Sequence, residues 1–335
     1  MAVDYSKLKA GGFMPQKQKD VFSMRLRVVG GNVTVDQLAT IAAIARKYGH
    51  DYIHLTSRQG IEIPFIKLED IDAIAAELNA GGVEIGASGP RVRTVTACQG
   101  GSCCPSGCID ALEIAEELDA RYYGRTLPHK FKFGVTGCPN NCLKAEENDL
   151  GVKGGAEVTW KADGCVGCGA CVKACRHKAI SLEGKTVTID REKCRQCGKC
   201  ARICPKKTIE AKNGFILSFA GTFGNDIVNG KRLLPLVESK ETLLRVTDAA
   251  IEYFDEHAER GERLVIRIEK ALRVGLRDHE RVPLRERIDV EIGKHLLVLV
   301  DLEARDLALG NSTEYAVVLH GGYYIIPNRA CVHFG

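Results

Sequence analysis

The feature that most constrains this chain is a repeated cysteine run. Cys165, Cys168, Cys171 and Cys175 are spaced x2, x2, x3, and Cys194, Cys197, Cys200 and Cys204 repeat that spacing, the second copy ending in Pro205. A cubane iron–sulfur cluster needs four thiolates converging on its irons. A tight loop with two-residue spacings offers three, and the fourth comes from elsewhere. In paired runs of this kind the fourth cysteine of each ligates the other cluster. The spacing therefore predicts one cluster on Cys165, Cys168, Cys171 and Cys204, and a second on Cys194, Cys197, Cys200 and Cys175. Zinc ribbons also use C-x2-C, but two complete copies of the three-spacing run favour [4Fe-4S]. Arg176 stands where proline would follow Cys175. Proline there shapes the turn and is no ligand.

This block, residues 161–212, resembles a bacterial two-cluster ferredoxin, which implies that electrons pass through the protein. The rest of the composition agrees with metal chemistry. The chain has 335 residues, 15 of them cysteines, and is 45% hydrophobic and 27% charged. That length suggests two or three domains, and the balance excludes disorder, coiled coil and collagen. Residues 1–18 show no secretory signal, and the longest apolar runs, such as 296–300, are far short of a membrane span. Cytoplasmic location is the expectation, and there cysteines serve metals rather than disulfides. A net charge of +4 is too small to argue for nucleic acid.

Along the chain, Phe22, Met24, Leu26 and Val28 alternate with Ser23, Arg25 and Arg27, which predicts a strand ending at Gly30-Gly31. Thr34 to Gln37 fits a capping box opening a helix to Gly49. Short strands over 52–55 and 61–66 and a helix over 69–78 complete a small α+β unit. A strand over 92–96 leads into a cysteine-rich turn, followed by a helix over 110–121 and a strand over 130–136. A helical region ends near residue 257, a basic stretch reaches Arg281, and residues 282–335 read as strands and turns.

Four more cysteines come in two pairs, Cys98-x5-Cys104 and Cys138-x3-Cys142, whose spacings can hold one further cubane. Cys103 offers a competing spacing; Pro105 after Cys104 favours Cys104. Thr96-Ala97-Cys98…Cys104-Pro105 with Thr136-Gly137-Cys138-Pro139-Asn140-Asn141-Cys142 resembles the signature of the sirohaem/[4Fe-4S] sulfite and nitrite reductases. Within that family the resemblance is to the C-subunit type of anaerobic sulfite reductase, carrying an inserted two-cluster ferredoxin domain. It covers about residues 24–273.

The resemblance implies an α+β fold: a ferredoxin-like N-terminal domain (1–85), a sirohaem/[4Fe-4S] core in two parts (86–160 and 213–281), the ferredoxin insert (161–212), and a C-terminal extension of unknown role (282–335). It implies sirohaem and three [4Fe-4S] clusters as cofactors, with Cys142 supplying the thiolate shared by haem and cubane.

Both sirohaem, a polycarboxylate, and a small oxyanion require positive charge nearby. Arg25 and Arg27, Arg91 and Arg93, and Lys130 and Lys132 are i, i+2 pairs, each projecting from one strand face. Taken singly, each pair also suits a solvated strand. The family pattern makes Arg27, Arg93, Lys130 and Lys132 the expected substrate-holding set, and makes Arg25, Arg58, Gln59 and Arg91 haem contacts. The strand carrying Lys130 and Lys132 ends at Cys138, which suggests that the lysines sit beside the cluster.

The expected activity is six-electron reduction of sulfite to sulfide. Nitrite reduction with the same cofactors is chemically close, and a multi-cluster electron-transfer protein without haem is the alternative from another class. No G-x-G-x-x-G follows a strand, so a separate ferredoxin or a flavin- or NAD-linked subunit is the expected electron donor. One core copy suggests a homo- or hetero-oligomer. Cys103, Cys108 and Cys331 carry no assigned role.

Overall fold

In the computed structural model, residues 3–268 and the backbones of 314–319 and 322–327 are described. The N-terminal unit runs α1 (Tyr5–Ala10), β1 (Phe13–Pro15), β2 (Val21–Arg25), α2 (Val35–Tyr48), β3 (His54–Leu55), β4 (Ile61–Lys67) and α3 (Ile71–Ala80). Phe22, Met24, Leu26 and Val28 are buried, whereas Ser23, Arg25 and Arg27 between them are half-buried. A strand with one face in a core reads this way. The four strands form an antiparallel sheet ordered β1-β2-β4-β3. Thr34 and Gln37 form the reciprocal capping box that opens α2, and Ile41, Ile44, Ile74 and Leu78 from the two long helices pack on Met24, Ile63 and Ile66.

The second unit continues with β5 (Thr96–Ala97), α4 (Ala111–Tyr122), β6 (Phe133–Thr136) and β7 (Leu150–Trp160). The cysteine block holds α5 (Ala170–Ala174), β8 (Ile180–Glu183), β9 (Thr186–Ile189) and α6 (Lys199–Ile203). The chain then resumes with β10 (Ile209–Phe219), β11 (Thr222–Phe223), β12 (Ile227–Val228) and α7 (Lys240–His257). A mixed sheet ordered β10-β7-β6-β5 forms the floor, parallel from β5 to β7 and antiparallel between β7 and β10. Leu118 and Tyr122 of α4 and Leu243, Ile251 and Phe254 of α7 share a core with Phe131, Phe133 and Val135.

Two ladders are shorter than the alternation predicts. Strand pairing begins only at Thr96 and at Phe133, preceded by isolated bridges of Arg91 to Thr126 and Val92 to Phe131. Side chains have taken the main-chain donors. Val95 N–H donates to Asp119 Oδ1 (2.9 Å) and Lys132 N–H to Asp149 Oδ2 (2.9 Å).

The cysteine block is mounted on the end of the β7–β10 hairpin, whose last paired residues are Trp160 and Ile209. Its internal repeat is visible in the backbone. Gly169 and Gly198 adopt left-handed φ of 71° and 64° before α5 and α6, and Lys178 N–H to Cys175 O and Lys207 N–H to Cys204 O are both 3.2 Å. Farther on, β13 (Glu314–Leu319) and β14 (Gly322–Pro327) pair as an antiparallel hairpin. Cys331, the basic stretch beyond residue 268 and the remainder of 282–335 lie outside the described residues.

Candidate active site

The first thiol set lines one small, partly open pocket, with Cys165, Cys168, Cys171 and Cys204 in its wall beside Val166, Leu182 and Lys206. Cys204 comes from the second run and the other three from the first. Burial pushes the Cys204 thiol up, but hydrogen bonds from the Thr208 hydroxyl and from the main chain at Thr208, Ile209 and Lys206 outweigh it and bring it down to about 7. The Gly167 N–H likewise draws Cys165 below the usual thiol range, against burial. Thiolates are the form that binds iron, so this donor set suits a cluster.

In the second set, burial raises Cys200 to about 11, with Cys194 and Cys197 close enough to add to it. The Gln196 N–H donates to Cys194 Sγ (3.4 Å) and the Ala179 N–H to Cys175 Sγ (3.3 Å), and Cys175 and Cys194 pack in one small core with Cys171 and Cys200.

The third set lies where β5 and β6 end. Burial raises the Cys138 thiol, and Cys104, Cys142 and Cys98 act on it in the same direction. Cys98 Sγ accepts from Gly137 N–H (3.0 Å) and Thr136 Oγ1 (3.5 Å). Cys103 and Cys142 are exposed. Glycine is required in the turn that holds these thiols: a Cβ on Gly137 would stand 2.7 Å from the Gly100 Cα.

The second and third sets meet at Cys108, to which spacing assigns no role. Cys108 is 6% exposed and packs with Cys138 and Ala156, and its thiol points at the Cys197 carbonyl oxygen (3.8 Å). Ala156 N–H donates to Gln196 O (2.6 Å). The second cysteine run is thus the part of the insert docked against the core. Among the described residues no three His, Cys, Asp or Glu side chains converge on a single-ion site.

The basic residues divide into two groups. Lys132 is brought down to about 8, first by burial and then by Arg58 and Arg263, with Asp149 opposing and Lys130 adding. Burial, Arg263 and Arg93 also lower Lys130. Arg58 and Arg93 are each lowered to about 10, chiefly by burial. Arg263 accompanies them, bonded through Nη2 to Asp149 Oδ1 (2.9 Å) and Oδ2 (3.1 Å). Asp149 is fully buried, and burial pushes its carboxyl up while Arg263 pulls it down. Five cations thus act on one another beside a single buried carboxylate. The Nε–H groups of Arg93 and Arg263 are buried with no hydrogen-bond partner among the described residues, while Arg93 Nη1 and Nη2 donate to the Ala87 and Gly89 carbonyls (3.2 and 3.0 Å).

Arg25 and Arg27 are held otherwise. Arg25 Nε pairs with Glu62 (2.5 Å). Arg27 pairs with Glu84 and with Asp119 (2.7 Å), and lies 4.1 Å over the Tyr123 ring centre. Arg27, expected in the substrate-holding set, is thus placed with two carboxylates and an aromatic ring as its partners. Gln59 uses both amide groups on the Ala97 main chain, and Arg58 bonds Asn148 Oδ1 (2.8 Å). Both side chains brace β5 and β6. Arg91 bridges Thr126 through the main chain.

Lys132 precedes β6 and Cys138 follows it, up to about 20 Å apart along nearly extended chain at about 3.3 Å per residue. Arg263, Asp149, Asp119 and Cys108 are the residues that spacing misses. Arg263 and Asp149 are 114 positions apart in sequence, and no local pattern announces such a pair.

The profile of the nitrite and sulphite reductase 4Fe-4S domain matches residues 88–277, and that of the nitrite/sulfite reductase ferredoxin-like half domain matches residues 14–81. The chain belongs to this family of iron–sulfur oxidoreductases. It is 33% identical over 254 residues to the coenzyme F420-dependent sulfite reductase of Methanocaldococcus jannaschii, covering 75% of this chain and 40% of that protein. It is also 33% identical over 202 residues to the C subunit of the anaerobic sulfite reductase of Salmonella typhimurium, covering 54% and 58%. The chain therefore spans about half the length of these relatives. The crystal structure of dissimilatory sulfite reductase I shares the fold, with a TM-score of 0.63 and 20% identity over 84% of this chain and 69% of that one.

Proposed function

We propose that this protein reduces sulfite to sulfide by six electrons, using sirohaem coupled to a [4Fe-4S] cluster on Cys98, Cys104, Cys138 and Cys142. Two further [4Fe-4S] clusters in residues 161–208 complete the reading. The observation that carries it is the cationic group of Arg58, Arg93, Lys130, Lys132 and Arg263, one strand length from the Cys138 thiol set. When bound, the haem and cluster supply the electrons. The rest is done by side chains. Arg93 and Arg263 hold positive charge at the anion, their guanidinium groups staying protonated. Lys130 and Lys132 offset charge on the bound anion and donate protons to departing oxygens. Arg27, paired with Asp119 and Glu84, positions the segment that follows β2.

Sulfite rather than nitrite is favoured by the named sulfite reductases that the chain resembles over more than half of its length. The visible spectrum of protein purified without oxygen should show a sirohaem band, and turnover with a reduced dye should be faster with sulfite than with nitrite. Plain iron–sulfur absorbance without haem would leave electron transfer alone as the function.

A further inference from the structure

Residues 161–208, between the ends of β7 and β10, hold 12 Lys and Arg against 4 Asp and Glu, a net +8. The whole chain is only +4, so all residues outside the insert sum to −4. The charge is concentrated on one module, and that module carries eight thiols. We propose that the outer surface of the insert is the docking site for an acidic protein electron carrier. This rests on the proposed function, and it adds the chemistry of the partner.

Most of these cations are not used internally. Lys161 pairs with Glu210 and Lys193 with Asp190, and Arg202 donates to the Cys197 carbonyl. Arg176, Lys178, Arg191, Arg195, Lys199 and Lys207 are exposed, and none has a carboxylate within ion-pair distance among the described residues. Four of them share one patch. Asp190 N–H donates to Ala179 O (2.8 Å) and Cys194 N–H to Asp190 O (3.0 Å), so the 176–178 and 191–195 segments lie side by side. Glu192 is the acidic residue in that patch besides the paired Asp190, and His177 is its other titratable group. The patch flanks the ends of the second thiol set, while the docked side of that set faces the core at Cys197. At the first thiol set, Val166 and Ile203 stand 52% and 50% exposed near Lys206 and Lys207. Apolar contact ringed by charge is the usual make-up of a protein interface.

A basic surface also attracts nucleic acid, but single strands are held by aromatic stacking, and residues 161–208 contain no Phe, Tyr or Trp. A carrier of opposite charge gains a steered approach and a correct orientation toward the thiols.

The holoprotein should be titrated with a small acidic ferredoxin, with a basic c-type cytochrome and with a short DNA duplex, at about 0.02 M and about 0.5 M salt, where screening is weak and strong. The ferredoxin should bind, and its affinity should fall about tenfold or more at the higher salt. The variant Arg176→Glu/Lys178→Glu/Arg191→Glu/Arg195→Glu should lose about tenfold at low salt and little at high salt. The corresponding Gln variant should fall between, and it carries the measurement if the Glu variant loses iron. Reversing Lys7, Lys9, Lys17 and Lys19, exposed on the N-terminal unit, should change nothing. Equal binding of the cytochrome, tighter binding of DNA, salt-independent affinity or an equal loss in the control would overturn the proposal. A missing haem band with carrier binding intact would overturn the proposed reaction and leave the docking surface standing.

Discussion

Burial and the neighbouring Arg58 and Arg263 bring Lys132 to about 8, so a proton can leave and return near neutral pH. If Lys132 donates protons to the anion, activity requires its charged form. kcat/KM should then fall as pH rises through about 8, and Lys132→Met should abolish that limb. The same variant should keep its haem band while turnover drops by about 100-fold or more, the usual worth of a general acid. Asp149 tests the cradle from beneath. Asp149→Asn leaves the Arg263 charge buried without its counter-ion, a loss of about 3 kcal/mol, read as a lower denaturation midpoint. At this scale the cysteines were legible because ligand spacing is local. Arg263 and Asp149 were not, since their pairing is made by β7 meeting the segment after α7. Arg27 was legible as a cation but not as a paired one, because Asp119 reaches it from α4, 92 residues away.

Among the elements, the helices were read best. The capping box at Thr34 and the Asp110 cap of α4, which accepts from the Leu112 and Glu113 N–H groups, are signals written within four residues. The strands around the site were overextended, because Asp119 and Asp149 take the Val95 and Lys132 main-chain donors that alternation assigns to a ladder. The turn after β6 is held instead by close backbone packing of Gly137 on Gly100. Gly137→Ala should show this: its Cβ would meet the Gly100 main chain, which cannot swing aside, at a cost of about 1–3 kcal/mol. Iron content should fall along with stability, whereas Gly124→Ala, where a Cβ meets nothing within 4 Å, should keep its iron, with only the strain of its positive φ to bear.

For the whole molecule, the insert was legible as a unit, but its attachment was not. A hairpin brings both ends of the insert to one paired position, Trp160 and Ile209. Replacing residues 161–208 by a two-residue Asn-Gly turn, the favoured closure for such a hairpin, should therefore give a folded core. That shortened protein should still bind haem and lose its response to the ferredoxin probe. Failure to fold would show that the Ala156–Gln196 contact is needed to close the sheet.

The two-stranded mount also separates two kinds of change. The inner junction at Cys108, Ala156 and Cys197 includes the main-chain hydrogen bond from Ala156 N–H to Gln196 O, which ties its spacing to the sheet. The charged outer surface carries Arg176, Lys178, Arg191 and Arg195, which pair with no carboxylate among the described residues. If the insert docks an acidic carrier as proposed, changes to a few surface cations exchange one electron supplier for another and leave the spacing at this inner junction as it was.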